Sequence, residues 1–237
     1  MKSYVSNNEI NELCEALIFD YTKSRKCTSV DIEGFITNYL NLDIVYVVFA
    51  DEDMSKEGYL SDGKSPLLIY ENGKARKVVF PKYTIVLDRY LLKKEQSGRH
   101  RFTLAHEAGH YIMSKHNPEQ TIPSYRRSFD GERDYSAEEM TAMFSLGEFL
   151  ADKVAAGLLM PRFIIDSVVG KYYKGTHIKV YGDNIFAPED KVKIGKMADE
   201  IGVSFSALII RLKNFDYLRY YPVNIYLQKY LMAGDEL

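Results

Sequence analysis

One segment limits what this chain can fold into more than any other: Arg101-Phe102-Thr103-Leu104-Ala105-His106-Glu107-Ala108-Gly109-His110-Tyr111. It holds the pattern His-Glu-x-x-His, so on a helix His106 and His110 lie one turn apart on the same face. Two imidazoles at that spacing can share one zinc ion, and Glu107 beside them can take a proton from a water molecule activated by the metal. A fold that uses this motif must keep the segment helical and bring a further ligand across from another element. It then implies a zinc hydrolase, and among these a peptidase. Without the further ligand, the same pattern describes a helix with two histidines and a glutamate on a solvated face.

Catalytic zinc takes three protein ligands and keeps a fourth position open. Downstream lies Ser145-Leu146-Gly147-Glu148-Phe149-Leu150-Ala151-Asp152-Lys153-Val154-Ala155-Ala156-Gly157-Leu158-Leu159-Met160-Pro161. Leu146, Phe149, Leu150, Val154, Leu158 and Leu159 recur at helical spacing, and Pro161 marks the expected end. Glu148 and Asp152 are four residues apart and share one face, flanked by apolar residues. Two carboxylates there are costly without a cation or a donor. Zinc for Glu148 and an imidazole N–H for Asp152 would meet that need. The alternative is a partly exposed acidic stripe that Lys153 helps to solvate.

The 237 residues, 46% hydrophobic and 27% charged, suffice for one or two globular domains with a sizeable core. A formal net charge of −2 argues against a broad electrostatic grip on nucleic acid. Cys14 and Cys27 form neither a disulfide framework nor a zinc ribbon, and Cys14 falls on an apolar helix face. No apolar run approaches a membrane span and the N-terminal MKSYVSNNEINEL has no apolar signal segment, so a cytoplasmic protein with no membrane partner is expected.

Along the chain, Ser6-Asn7-Asn8-Glu9 reads as a capping box for a helix with Ile10, Leu13, Cys14, Leu17, Ile18 and Tyr21 in a stripe. A second helix fits about Val30 to Leu40, with Thr28 or Ser29 as its cap. Ile44–Phe49 reads as a buried strand. Asn72-Gly73 predicts a hairpin between strands at 67–71 and 75–80. Thr84–Asp88 reads as a strand lining the cleft, where it would pair with an extended substrate. The motif helix is expected from about Gly98–Arg101 to Asn117. Residues 118–135 read as a long loop and a candidate gate, with Ser136 a possible helix cap, and 171–190 read as irregular.

Near the C-terminus, Ile194–Ile201 and Phe205–Asn214 flank Gly202-Val203-Ser204 in a helix-turn-helix-like layout. Either it binds DNA or it is a hairpin packed within the fold. Ten basic against eight acidic residues from Lys171 onward do not make a phosphate-binding surface, which favours the hairpin. Of the other histidines, His100 and His116 stand six residues from His106 and His110 and share no face with them. His177, Tyr125, Tyr135 and Tyr181 are candidates for steadying an oxyanion, and none is singled out.

His-Glu-x-x-His followed by Glu-x-x-x-Asp resembles the gluzincin arrangement of zinc peptidases. More narrowly, RFTLAHEAGHYIMSKH at 101–116 and EFLADKVAAGLLMP at 148–161 resemble the ImmA/IrrE metallopeptidases, with a weaker match in IGVSFSALIIRL at 201–212. The resemblance implies an α+β, zincin-like domain over 1–170, with a small twisted, mainly antiparallel sheet and zinc-binding helices, and a helical C-terminal part over 171–237. It implies His106, His110 and Glu148 as zinc ligands, Glu107 as general base and Asp152 as the carboxylate behind a ligand. It also implies a protein substrate, typically a helix-turn-helix repressor of a mobile element or a stress regulon. The alternative is a non-proteolytic regulator that binds a repressor or toxin and keeps zinc for structure. Two departures stand out: a longer connection between His110 and Glu148, and Asp152-Lys153-Val154-Ala155 where the family tends to have x-Phe-Ala after the acidic residue.

Overall fold

The computed structural model describes residues 6–50, 56–116, 125–127 and 145–230. The chain divides into two compact units, one from residues 1–23 and 30–161, the other from 24–29 and 162–237. No helix among the described residues is long and apolar enough to cross a membrane.

The first unit begins with α1 (Asn7–Thr22), where Ser6 Oγ accepts from the Glu9 amide and Glu9 Oε2 accepts from the Ser6 amide, closing the capping box in both directions. Ile10, Cys14 and Ile18 are buried along its stripe. The second helix, α2 (Ile32–Gly34, continued by a π turn over Phe35–Tyr39), starts later than the sequence suggests. Its cap is therefore Asp31, whose Oδ1 accepts from the Gly34 amide at 3.0 Å, rather than Thr28 or Ser29.

A four-stranded sheet follows, in the order β1 (Ile44–Val47), β5 (Ile85–Asp88), β2 (Lys56–Leu60), β6 (Tyr125–Arg127). The β1–β5 ladder is parallel, and the β5–β2 and β2–β6 ladders are antiparallel. β3 (Leu67–Glu71) and β4 (Lys74–Val78) form the expected hairpin, with φ of 52° at Asn72 and 74° at Gly73 as a two-residue turn of this kind requires. Val47, Tyr59, Leu67, Ile69 and Val86 form a core cluster on one face of the sheet. Alternation along β5 turns Leu87 the other way, toward α3 (Ser97–His116).

Three readings change here. Ile44, Val45 and Tyr46 are only partly buried, so β1 is less enclosed than its composition suggests. β5 is interior, with both edges taken by β1 and β2, so it cannot pair with a substrate. Within 118–135, residues 125–127 form β6; the rest of that stretch and Ser136 lie outside the described residues.

Helix α4 (Leu146–Leu159) is capped by Ser145, whose Oγ accepts from the Glu148 amide at 3.3 Å. It buries Glu148, Ala151, Val154, Ala155, Leu158 and Leu159, whereas Leu146 and Phe149 are more than half exposed. The buried stripe thus starts at Glu148 and Ala151 rather than at Leu146 and Phe149. At Gly157 a Cβ would lie 2.7 Å from Cys14 Sγ, so the missing side chain lets α1 and α4 touch. Cys14 is buried, its thiol donating to the Val154 carbonyl oxygen at 3.6 Å, in keeping with core packing, and neither it nor Cys27 is in a disulfide.

The second unit contains α5 (Arg162–Tyr173), β7 (Ile178–Tyr181), α6 (Pro188–Ile201), α7 (Phe205–Asn214), β8 (Leu218–Tyr221) and α8 (Val223–Tyr230). Gly202, at φ 80°, ends α6, and Ser204 caps α7 by accepting from the Ala207 amide. The stretch read as irregular, 171–190, holds the end of α5, all of β7 and the start of α6. β7 and β8 pair in parallel, Ile178 opposite Leu218, about forty residues apart in sequence. A strand of four residues has little local signature; its distant partner stabilises it. The Tyr181 ring is buried among Tyr221, Tyr226 and Tyr230.

Candidate metal centre

The site is built where α3 and α4 cross. Gly109 sits between the two histidines of α3, and Ala151 sits between Glu148 and Asp152 of α4. A Cβ on Gly109 would lie 3.0 Å from the Ala151 carbonyl oxygen and 3.3 Å from its Cα. The smallest residue of one motif therefore rests on the backbone of the other, bringing four polar side chains together.

His106 Nε2 lies 3.0 Å from His110 Nε2 and 3.1 Å from Glu148 Oε2, while His110 Nε2 lies 3.2 Å from Glu148 Oε1. His106 is fully buried, and the Glu148 side chain is nearly so. Burial pushes the Glu148 carboxyl up, but hydrogen bonds and charge from His106 and His110 outweigh it and hold it well below the usual carboxylate range. Behind His106, Nδ1 lies 2.8 Å from Asp152 Oδ1. An ionised carboxylate only accepts, so it draws the imidazole proton to Nδ1 and leaves a lone pair on Nε2.

One nitrogen or oxygen from each of His106, His110 and Glu148 falls within a 4.8 Å group. A proton on His110 can satisfy one of the close contacts; a divalent cation satisfies all three. Two ligands held at about 2.05 Å from one ion at the tetrahedral angle stand roughly 3.3 Å apart, close to the separations here. Two imidazoles and a carboxylate are the donor set of open zinc sites, so the residues fit that metal.

Glu107 is fully buried on the neighbouring face of α3. It lies against β2, where a Cβ on Gly58 would come within 2.8 Å of Glu107 Oε1. β2 escaped the sequence reading because Lys-Glu-Gly-Tyr-Leu has two charges and a glycine in five residues and no clean alternation. The glycine was the available signal, since an isolated Gly in a strand marks a bulge or a close backbone approach.

His100 Nε2 lies 2.8 Å from Tyr46 Oη, and burial pushes its pKa down although Glu33 opposes this. His177 is exposed. Lys153 lies over the Phe149 ring, its Nζ 5.2 Å from the centroid. Tyr135 falls outside the described residues.

A family model for the IrrE N-terminal-like domain, Peptidase_M78, matches residues 64–213, well over half of the chain and both motifs. The chain belongs to the Peptidase_M78 family. Membership agrees with the crossed helices and the His-His-Glu group and supports a metallopeptidase-type function. No curated protein matches the chain.

Proposed function

We propose that this Peptidase_M78 member is a zinc-dependent endopeptidase working in the cytoplasm on a protein substrate, most specifically a helix-turn-helix repressor of a mobile element or stress regulon. The observation that carries the reading is the convergence of His106, His110 and Glu148 on one point, with Asp152 behind His106. When bound, zinc supplies a Lewis acid that polarises a carbonyl and makes water nucleophilic near neutral pH. His106 and His110 present imidazole nitrogens to it, and Glu148 presents a carboxylate oxygen. Asp152 holds His106 in the tautomer that leaves Nε2 free to ligate. Glu107, wedged against β2, takes a proton from the attacking water and passes it to the leaving amine. The repressor substrate rests on family resemblance. Near-balanced charge after Lys171 supports a protein rather than a nucleic-acid partner.

The test is metal analysis followed by co-expression with a repressor encoded beside the protein. We expect about one zinc per chain in the wild type and loss of most of it in His106→Ala and Glu148→Ala. Wild type should cut the repressor, whereas Glu107→Gln should keep zinc and leave the repressor intact. Zinc retained in both ligand variants would remove the metal assignment. An uncut repressor held equally by wild type and Glu107→Gln would leave a binding protein instead.

A further inference from the structure

Helix α3 turns a row of three polar residues toward β2: Arg99, Thr103 and Glu107, each four positions after the last. β2 meets that row with Glu57 and Gly58. Adjacent strand residues ordinarily face opposite sides of a sheet. Here the ladder to β6 shifts register between Lys56 and Gly58, and a bulge of this kind re-aims a side chain. Both residues consequently face α3. Thr103 Oγ1 lies 3.5 Å from Glu57 Oε2, and a Cβ on Gly58 would lie 2.7 Å from Thr103 Cγ2 and 2.8 Å from Glu107 Oε1. The next residue, Tyr59, is buried in the core cluster.

Glu57 is only 3% exposed. Tyr90 Oη donates to its Oε1 at 2.8 Å and Arg99 Nε stands 3.1 Å from the same oxygen. A buried carboxylate is costly unless paired and hydrogen-bonded, and an apolar side chain could fill the space without that cost. What the carboxylate adds is a fixed position: it ties β2 to the first two turns of α3 immediately before the glycine that Glu107 lies against.

We infer that Glu57 is a positioning residue that, through Gly58, sets where the Glu107 carboxylate stands relative to His106 and His110. This rests on the reading of Glu107 as the base. Glu57 and Gly58 precede residue 64, where the family match begins, whereas Tyr90, Arg99, Thr103 and Glu107, which they meet, lie within it. A misplacement of about 1 Å at such a group is enough to cost roughly 100-fold in rate.

The test uses zinc-loaded full-length protein and acetohydroxamic acid, a probe that ligates zinc and donates a hydrogen bond to a carboxylate beside it. Glu107→Gln should weaken its binding; an unchanged affinity would overturn the base reading and this inference with it. Where Glu107→Gln does weaken it, Glu57→Ala should also do so, by about tenfold or more, with about one zinc per chain retained. Glu57→Gln should recover most of the affinity, because its amide oxygen still accepts from Tyr90. If Glu57→Ala does not fold, Tyr90→Phe, which removes the 2.8 Å donor, is measured in its place and should weaken binding in the same direction. A lowered melting temperature with wild-type hydroxamate affinity would reduce Glu57 to a structural role and overturn the inference. So would a crystal structure of metal-free Glu57→Ala in which the Glu107 carboxylate has not moved.

Discussion

The contact between Gly109 and Ala151 sets how closely the two motif helices approach, and Gly109→Ala perturbs it by one methyl group. The new Cβ would stand 3.0 Å from the Ala151 carbonyl oxygen and 3.3 Å from both Ala151 Cα and Val154 Cβ. The first two of these are backbone atoms of a helix and cannot turn aside, so α4 must move away by a few tenths of an ångström. Alanine in a helix interior gains about 1 kcal/mol over glycine, and overpacking costs about 1–3 kcal/mol. Net destabilisation of the metal-free protein should therefore lie between zero and about 2 kcal/mol, a fall of at most roughly 8 °C in melting temperature. The effect on metal should be plainer, because Glu148 and Asp152 ride on α4 while His106 and His110 stay on α3. A tenfold loss of zinc affinity is about 1.4 kcal/mol, which would shrink the zinc-induced rise in melting temperature by about 3–6 °C at fixed free zinc. Calorimetry with and without zinc, beside a chelator-competition titration, reads both quantities. Gly170→Ala is the control: it lies in α5 with nothing within 4 Å of its added Cβ, and should gain stability without altering the zinc response. A Gly109→Ala protein whose zinc response equals that of the wild type would refute the argument that this contact sets the ligand geometry.

Asp152→Ala should weaken zinc binding about 10–100-fold in chelator competition, since it removes the acceptor 2.8 Å from His106 Nδ1; wild-type affinity would show that the hydrogen bond has no part in ligation. Asp62 should make acid stability pH-dependent. Burial pushes its carboxyl up, but hydrogen bonds from the Ser65 and Lys64 amides and the Ser65 hydroxyl outweigh this and hold it at about 2. Because the folded value lies below the unfolded one, about 3.9, its stabilisation is present above that pH and is lost as pH falls through about 2. The denaturation midpoint of the metal-free wild type should exceed that of Asp62→Ala at pH 6 and converge on it in acid; a constant difference across that range would contradict the linkage.

The sequence by itself determined most of what depends on residues within about one turn of each other, the Asp31 cap of α2 excepted. His106 and His110 stack because a helix repeats every 3.6 residues. Glu148 and Asp152 align for the same reason. Ser6, Ser145 and Ser204 cap helices through hydrogen bonds three positions away, and Asn72-Gly73 turns because two residues must take positive φ. Tertiary structure decided what depends on the partner across the gap. Thr84–Asp88 has a strand's composition, but only the completed sheet shows both of its edges taken. β7 and β8 form strands because each finds the other. Lys56–Leu60 carries almost no strand signature, yet its register against β5 and its bulge against β6 place Glu57 and Gly58 against Thr103 and Glu107. Gly109 and Ala151 read as ordinary small helix residues until two helices cross on them. The motif supplies the donor atoms, since local periodicity alone aligns them. The separation of about 3 Å between Glu148 and the two histidines is set by backbone contacts between segments roughly forty residues apart, and no local pattern encodes those.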